Sequence, residues 1–413
     1  MNRAAATEPR PAHPRLTDAL RGQPKTVWVT AFAAVIAFMG IGLVDPILNT
    51  ITEELGASPT QTTLLFGSYL GVQVVAMLLT GVMSYRFGAK RTLITGLVLI
   101  VLAAGACALV NSIEALVWLR ALWGLGNAFF IATALSVIVG AAAGGQAGAI
   151  LLYEAALGVG LAVGPLLGAA LGTLSWRGPF AGTAVLMAVG VILCATMLAG
   201  DKGKAERQRI RLIDPILALR NRNLLVTSLG SAFYTAAFFA IIAWAPFVLE
   251  EGAFYVGFVF FGWGLCVAVS GVVLAPKMAC WFGERGGAVI AVLLYALVLL
   301  AMAFGNKTVV VIGIIVSGIF SGILNTLLTG TAMSSGKAPR AVNSAGYNFL
   351  RWFGGAVSAV LVGHVAGWLG LRAPFWVGAV CCAAAAALLL LRQEAGDPDP
   401  HTVPAEAAAI GAE

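Results

Sequence analysis

The chain has 413 residues, of which 60% are hydrophobic and only 10% are Asp, Glu, Lys or Arg, with a net charge of +7. An ordinary soluble domain carries about 25% charged residues, so the composition excludes a water-exposed fold and fits a bilayer as solvent. In such a chain the position of the basic residues matters more than their total, and no nucleic-acid partner is expected.

Residues 1–25 carry five basic side chains and no apolar core, which reads as a cytoplasmic tail and not a secretory signal. Beyond them lie charge-free intervals of 19 residues or more at 26–44, 55–85, 92–113, 121–153, 155–176, 178–200, 223–249, 252–276, 286–306, 308–336, 352–371 and 373–391. A helix needs about 20 apolar residues to cross the hydrocarbon, and these runs lack the alternation of barrel strands. They predict an all-α membrane protein with twelve transmembrane helices, called spans one to twelve below.

With the N-terminus inside, alternate segments between spans hold 20 Lys and Arg on the cytoplasmic side and only Arg177, Lys307 and Arg372 outside. That bias places both termini in the cytoplasm. The polar stretch 201–222 divides the spans six and six. The expected organisation is a tail (1–25), a six-helix bundle (26–200), a cytoplasmic linker (201–222), a second bundle (223–392) and a polar tail (393–413). The six cysteines form no CxxC and read as small buried hydrophobes.

The halves repeat. At an offset of 195 residues Phe87-Gly88 falls on Phe282-Gly283, Gly160, Gly168 and Gly172 fall on Gly355, Gly363 and Gly367, and Arg177, Pro179 and Phe180 fall on Arg372, Pro374 and Phe375. Six spans per half give both halves the same orientation, so the repeat is parallel, as in some secondary transporters, and a substrate site is expected between the halves near the midplane.

Three stretches carry a family resemblance. The loop Gly81-Val-Met-Ser-Tyr-Arg86-Phe-Gly88-Ala-Lys90-Arg91 resembles the motif between spans two and three of the major facilitator superfamily, with Tyr85 where that family has Asp. Leu116-Val-Trp-Leu-Arg120-Ala-Leu-Trp-Gly124 resembles its span-four arginine motif, with Trp123 where Gln is usual. Gly160-Leu-Ala-Val-Gly164-Pro165-Leu-Leu-Gly168-Ala169 resembles the span-five motif of its twelve-helix drug:H+ antiporters. The first span's Gly40-Ile-Gly-Leu-Val-Asp45-Pro46 is similar to bacterial drug exporters. The resemblance covers roughly residues 26–392. It implies a two-halved fold and a monomer of the bacterial cytoplasmic membrane that expels lipophilic or cationic molecules in exchange for H+, with the span-five bend sealing the cavity against proton leak.

Ionisable groups inside spans are costly and are functional suspects. With the helix of span five beginning near Gln146, ahead of its charge-free interval, Glu154 lies about 12 Å deep, and its chain neighbours offer no cation. A carboxyl group in apolar surroundings can hold a proton near neutral pH, as a coupling group must. Asp45, before helix-breaking Pro46, and Arg120, roughly 9 Å into span four, are expected at a shared depth and could pair in one proton state. Arg351 is expected to snorkel to the cytoplasmic face, and His364 to be a packed polar group.

Glycines of span five permit close helix approach, and Pro165 a bend. Aromatic residues of spans seven and eight divide between lipid and a cavity for flat ligands. Candidate cavity contacts are Tyr153, Asn127, Gln73, Tyr234, Phe238, Trp244, Asn325 and Asn348, and a carboxylate beside aromatic walls would favour cations.

A phosphate loop is not present: Gly330 to Gly336-Lys337-Ala338 is one residue too long and lacks the Mg2+-ligating hydroxyl. No HExxH or paired nucleophile and base suggests an intramembrane enzyme, and no metal or cofactor is called for. The expected function is proton-coupled export by alternating access. A specific metabolite exporter, for a sugar or siderophore, is the alternative, and a uniporter is disfavoured by Glu154 and the span-five motif.

Overall fold

A computed structural model describes residues 22–142, 145–198, 211–335, 338 and 340–391. Residues 1–21 of the expected N-terminal tail, 201–210 of the linker and the whole expected C-terminal tail lie outside the described residues. The spans of the first half are helices Lys25–Gly42, Pro59–Phe87, Ala89–Cys107, Ile113–Ala141, Gly145–Gly172 and Gly178–Met197. Those after the linker begin with Arg222–Leu249 and end with Lys307–Ser334, Arg340–Leu369 and Ala373–Leu390.

Spans eight and nine form one helical run, so among the described residues eleven stretches, not twelve, are long and apolar enough to cross a membrane. That run, Ala253–Phe304, has 52 residues. At 1.5 Å per residue it measures about 78 Å, more than twice the ~30 Å hydrocarbon core. Gly283, at φ 72° and ψ 166°, breaks it. The part before the break packs on spans five and ten, and the part after it on spans ten and twelve. One continuous helix assignment therefore supplies two crossings.

The 195-residue repeat extends to the backbone. Gly88 turns the chain between spans two and three at φ 96° and ψ 156°, the counterpart of Gly283. These left-handed φ values are open to glycine at no steric cost. Arg177 donates to the carbonyl of Val110, and Arg372 to that of Gly305, again 195 residues on. Pro179 and Pro374 each occupy the first turn of the following helix, where a missing N–H costs nothing. Ser112, Asn221 and Asn306 cap other span starts by accepting from a backbone N–H.

Large apolar side chains such as Leu102, Trp118, Val185, Leu297 and Phe304 point outward and exposed, as lipid contact requires. Across the divide between the halves, span two packs on span eleven and span five on span eight. Cys107, Cys194 and Cys382 are buried, Cys266 and Cys381 are partly so, and Cys280 is exposed; all six are free thiols.

Candidate functional site

Span five is held by its small residues. A Cβ on Gly160 or Gly164 would stand 2.5 Å from the carbonyl oxygen of Val35 or Met39, and one on Gly168 would overlap that of Leu43. The glycines thus seat span five on the backbone of span one, one helical turn at a time. On its other face, a Cβ on Gly158 would stand 2.5 Å from the backbone of Ala268, and Ala162 lies against Gly264. The helix runs through Pro165 from Gly145 to Gly172.

This wedged position carries Glu154 to the boundary between the halves. The residue is buried, 4% exposed. Thr329 of span ten donates its hydroxyl to Glu154 Oε1 at 2.9 Å. Arg351 of span eleven lies 4.0 Å from the same oxygen and donates to Thr329 Oγ1 at 3.3 Å. The Thr329 hydroxyl therefore bridges the two charges, giving its hydrogen to one and a lone pair to the other. Glu154 Oε2 is buried without a donor.

The network continues into the second half. Arg351 Nη2 donates to Asn325 Oδ1 at 2.9 Å, and Tyr234 donates to the same oxygen at 3.1 Å. Tyr347 lies 3.4 Å from Thr329 and accepts from Ser231 at 3.2 Å. Arg351 also sits over the rings of Tyr347 and Trp352, at 5.8 and 5.7 Å.

Arg351 corrects one sequence expectation. It does not snorkel, being 6% exposed. The cation absent from the chain neighbours of Glu154 is supplied by a helix almost 200 residues away. A buried carboxylate and guanidinium each cost several kcal/mol alone, so the packing that brings them together also makes each tolerable. The sequence held a signal for this: Ser317, Ser321, Asn325 and Thr329, and Ser344, Tyr347, Asn348 and Arg351, recur at helical spacing as polar stripes.

Beside this network is a cavity between the halves. It is lined from the first half by Phe38, Ile41, Leu157 and Leu161, and from the second by Tyr234, Thr235, Phe238, Phe239, Asn325, Arg351 and Trp352. It encloses about 340 Å³ of interatomic space but is so constricted that it admits about one water molecule. Arg351 lines it; Glu154 and Thr329 do not.

Of the anticipated contacts, Tyr234, Phe238 and Asn325 reach the cavity. Tyr153 is buried one layer back, edge-on to Phe38 at 5.6 Å. Asn348 donates to its own helix at Ser344 O, 3.0 Å away. Trp244 is elsewhere: its indole N–H donates to the carbonyl of Leu371 at 2.7 Å, tying span seven to the loop before span twelve. Phe233, Phe254, Tyr255 and Phe258 are exposed on the lipid side, whereas Phe260 and Trp263 are buried. His364 is also exposed, beside Trp368, and is not a packed interior group.

Asn127 belongs to a second cluster inside the first half. It donates to Gln73 Oε1 at 3.1 Å and to the Tyr69 hydroxyl. Arg120, wholly buried, lies above them between Tyr69 and Trp123, 4.5 and 4.7 Å from the ring centres, and donates to Leu65 O at 3.4 Å. Trp123, where the sequence departs from the usual Gln, is thus a stacking wall for the guanidinium. Asp45 falls on a 3-10 turn just past span one, and its side chain lies outside the described residues, as does any pairing with Arg120.

At the loop between spans two and three, Gly81 is buried and Arg86 and Arg91 are exposed, while Lys90 donates to Leu198 O at 2.8 Å.

Twelve crossings in two similar halves, closed around a cavity with a buried ion pair across the divide, are the architecture of a multi-pass membrane transporter. The model of the Major Facilitator Superfamily matches residues 30–359, and the chain belongs to that family. It is 42% identical over 363 residues, 87% of this chain and 91% of the relative, to the multidrug efflux protein YfmO of Bacillus subtilis (strain 168). It is 27% identical over 261 residues, 60% of this chain and 66% of the relative, to multidrug resistance protein 1 of the same organism. Among solved structures, the human organic anion transporter MFSD10 (TETRAN) superposes with a TM-score of 0.70 at 16% identity, covering 88% of this chain and 99% of that one, a likeness of fold.

Proposed function

We propose that this transporter is a multidrug-type efflux protein that expels lipophilic small molecules from the cell in exchange for protons. The observation that carries the coupling is the contact of Glu154 with Thr329 and Arg351, which joins span five to spans ten and eleven beside the cavity. Ionised, Glu154 ties the halves together. A proton on it removes the charge attraction and lets the halves rock. A molecule entering the cavity competes for the Arg351 guanidinium and loosens the same tie. With neither bound the halves stay joined, so outward passage of substrate alternates with inward passage of H+. Each proton entering across 100 mV supplies about 2.3 kcal/mol.

In this reading the bundles 26–200 and 223–392 are the rocking bodies, of one monomer in the bacterial cytoplasmic membrane with both termini inside. Asp45 and Arg120 are a second proton-responsive pair, and the span-five glycines keep the closed cavity proton-tight. The test is a panel of fluorescent substrates in vesicles with an imposed pH gradient. Gradient-driven transport is expected with the native chain, and passive equilibration alone with Glu154→Gln. Full coupling in Glu154→Gln and in Asp45→Asn would remove the proposal.

A further inference from the structure

We infer that the central cavity recognises a flat aromatic anion, a ring system bearing a carboxylate or phenolate, in preference to a cation of the same shape. The inference deepens the export reading and rests on it for taking this cavity as the substrate site and for the parting of the halves that widens it beyond room for one water.

Two observations carry it. The charge exposed to the cavity is positive: Arg351 lines it, while Glu154, held by Thr329, does not, and no carboxylate lines it among the described residues. The bonds of Arg351 to Asn325 and Thr329 use two of its five N–H donors, leaving capacity for another acceptor.

The second observation is Asn325. Its Oδ1 accepts from Arg351 and Tyr234. A guanidinium can only donate, so the amide orientation is fixed and Nδ2 must be the other group. That Nδ2 is buried with no acceptor. Buried donors in proteins are almost always satisfied, so this one marks the place of a missing acceptor. Asn325 and Arg351 both line the cavity, and both have N–H groups left over for an acceptor. Around them Phe38, Phe238, Phe239 and Trp352 provide ring faces. An acid group finds charge-assisted hydrogen bonds here, and an ammonium finds donors facing donors. This reverses the cation preference that a lone Glu154 suggests from sequence.

The test uses 9-anthracenecarboxylate, 9-anthracenemethanol and 9-anthracenemethylammonium, one ring system with three charges. Binding to the full-length protein in liposomes is followed by quenching of tryptophan fluorescence. The carboxylate is expected to bind at least tenfold more tightly than the ammonium. That ratio is expected to persist in Arg351→Lys and to fall at least tenfold in Arg351→Gln, and to fall likewise in Asn325→Asp, which sets a carboxylate in the wall. Equal or tighter ammonium binding, no measurable binding of any of the three, or a ratio unchanged in Arg351→Gln overturns the inference. Transport of the three under a pH gradient is measured in parallel. Absent transport with the binding order intact overturns the exporter reading and leaves the anion preference standing.

Discussion

Removing either end of the buried pair should not cost the same. In Glu154→Gln, Arg351 remains charged, because a guanidinium does not give up its proton in a protein. Its bonds to Asn325 and Thr329 persist, yet its charge is left uncompensated in a site that is 94% shielded. Breaking a buried pair in this way costs 3–5 kcal/mol in general. The 4.0 Å separation, with Thr329 between, places this case at the low end, about 3 kcal/mol. In Arg351→Gln the remaining group can simply take up a proton and keep its Thr329 partner, so the loss should be about 2 kcal/mol, that of the two hydrogen bonds Arg351 gave to Asn325 and Thr329. The double variant, with no charge left, should be more stable than Glu154→Gln alone. Thermal unfolding of the purified protein in detergent orders the three variants. An Arg351→Gln protein less stable than Glu154→Gln, or a double variant with the two losses summed, would refute the argument that the guanidinium is the partner that cannot be left alone.

Other substitutions probe the surroundings. Gly164→Ala puts a methyl 2.5 Å from a backbone oxygen of span one and should lower stability by about 1–3 kcal/mol, whereas Gly140→Ala, with nothing within 4 Å of its Cβ, should be silent in the same melt. Trp244→Phe removes the bond to Leu371 and should cost about 1 kcal/mol while leaving the substrate range intact, since the indole is remote from the cavity. A changed range would return Trp244 to the cavity wall. Arg120→Lys keeps the charge but loses the planar stack between Tyr69 and Trp123, and a loss of about 1–2 kcal/mol is expected by the same measurement.

The spans were legible because burying backbone in lipid demands long uncharged helices, and charge-free intervals mark them without any tertiary knowledge. The turn at Gly283 was legible too, through its match to Gly88, although helical hydrogen bonding runs on across it and merges two crossings into one. Glu154 stood out because a carboxylate in an apolar run is costly wherever it points. Its partner was hidden by distance along the chain: nothing near residue 154 announces Arg351, and only the polar stripes of spans ten and eleven show which faces turn inward. Trp244 misled for the converse reason. An aromatic at the end of a span reads equally as cavity wall or loop anchor, and the deciding contact is with a loop carbonyl that has no sequence signature.

The glycine and alanine faces where span five meets span eight have a mechanical consequence. Interlocked long side chains must unlock one rotamer after another when two helices part. A seam whose meeting points are Gly158 with Ala268 and Ala162 with Gly264 has no teeth to disengage. Such a seam is close-fitting yet offers little mechanical resistance to slipping, which leaves a larger share of the holding to the polar groups that join span five to spans ten and eleven. In the proposed exchange cycle, a latch of two charges and one hydroxyl is then enough to govern the displacement of a whole six-helix body.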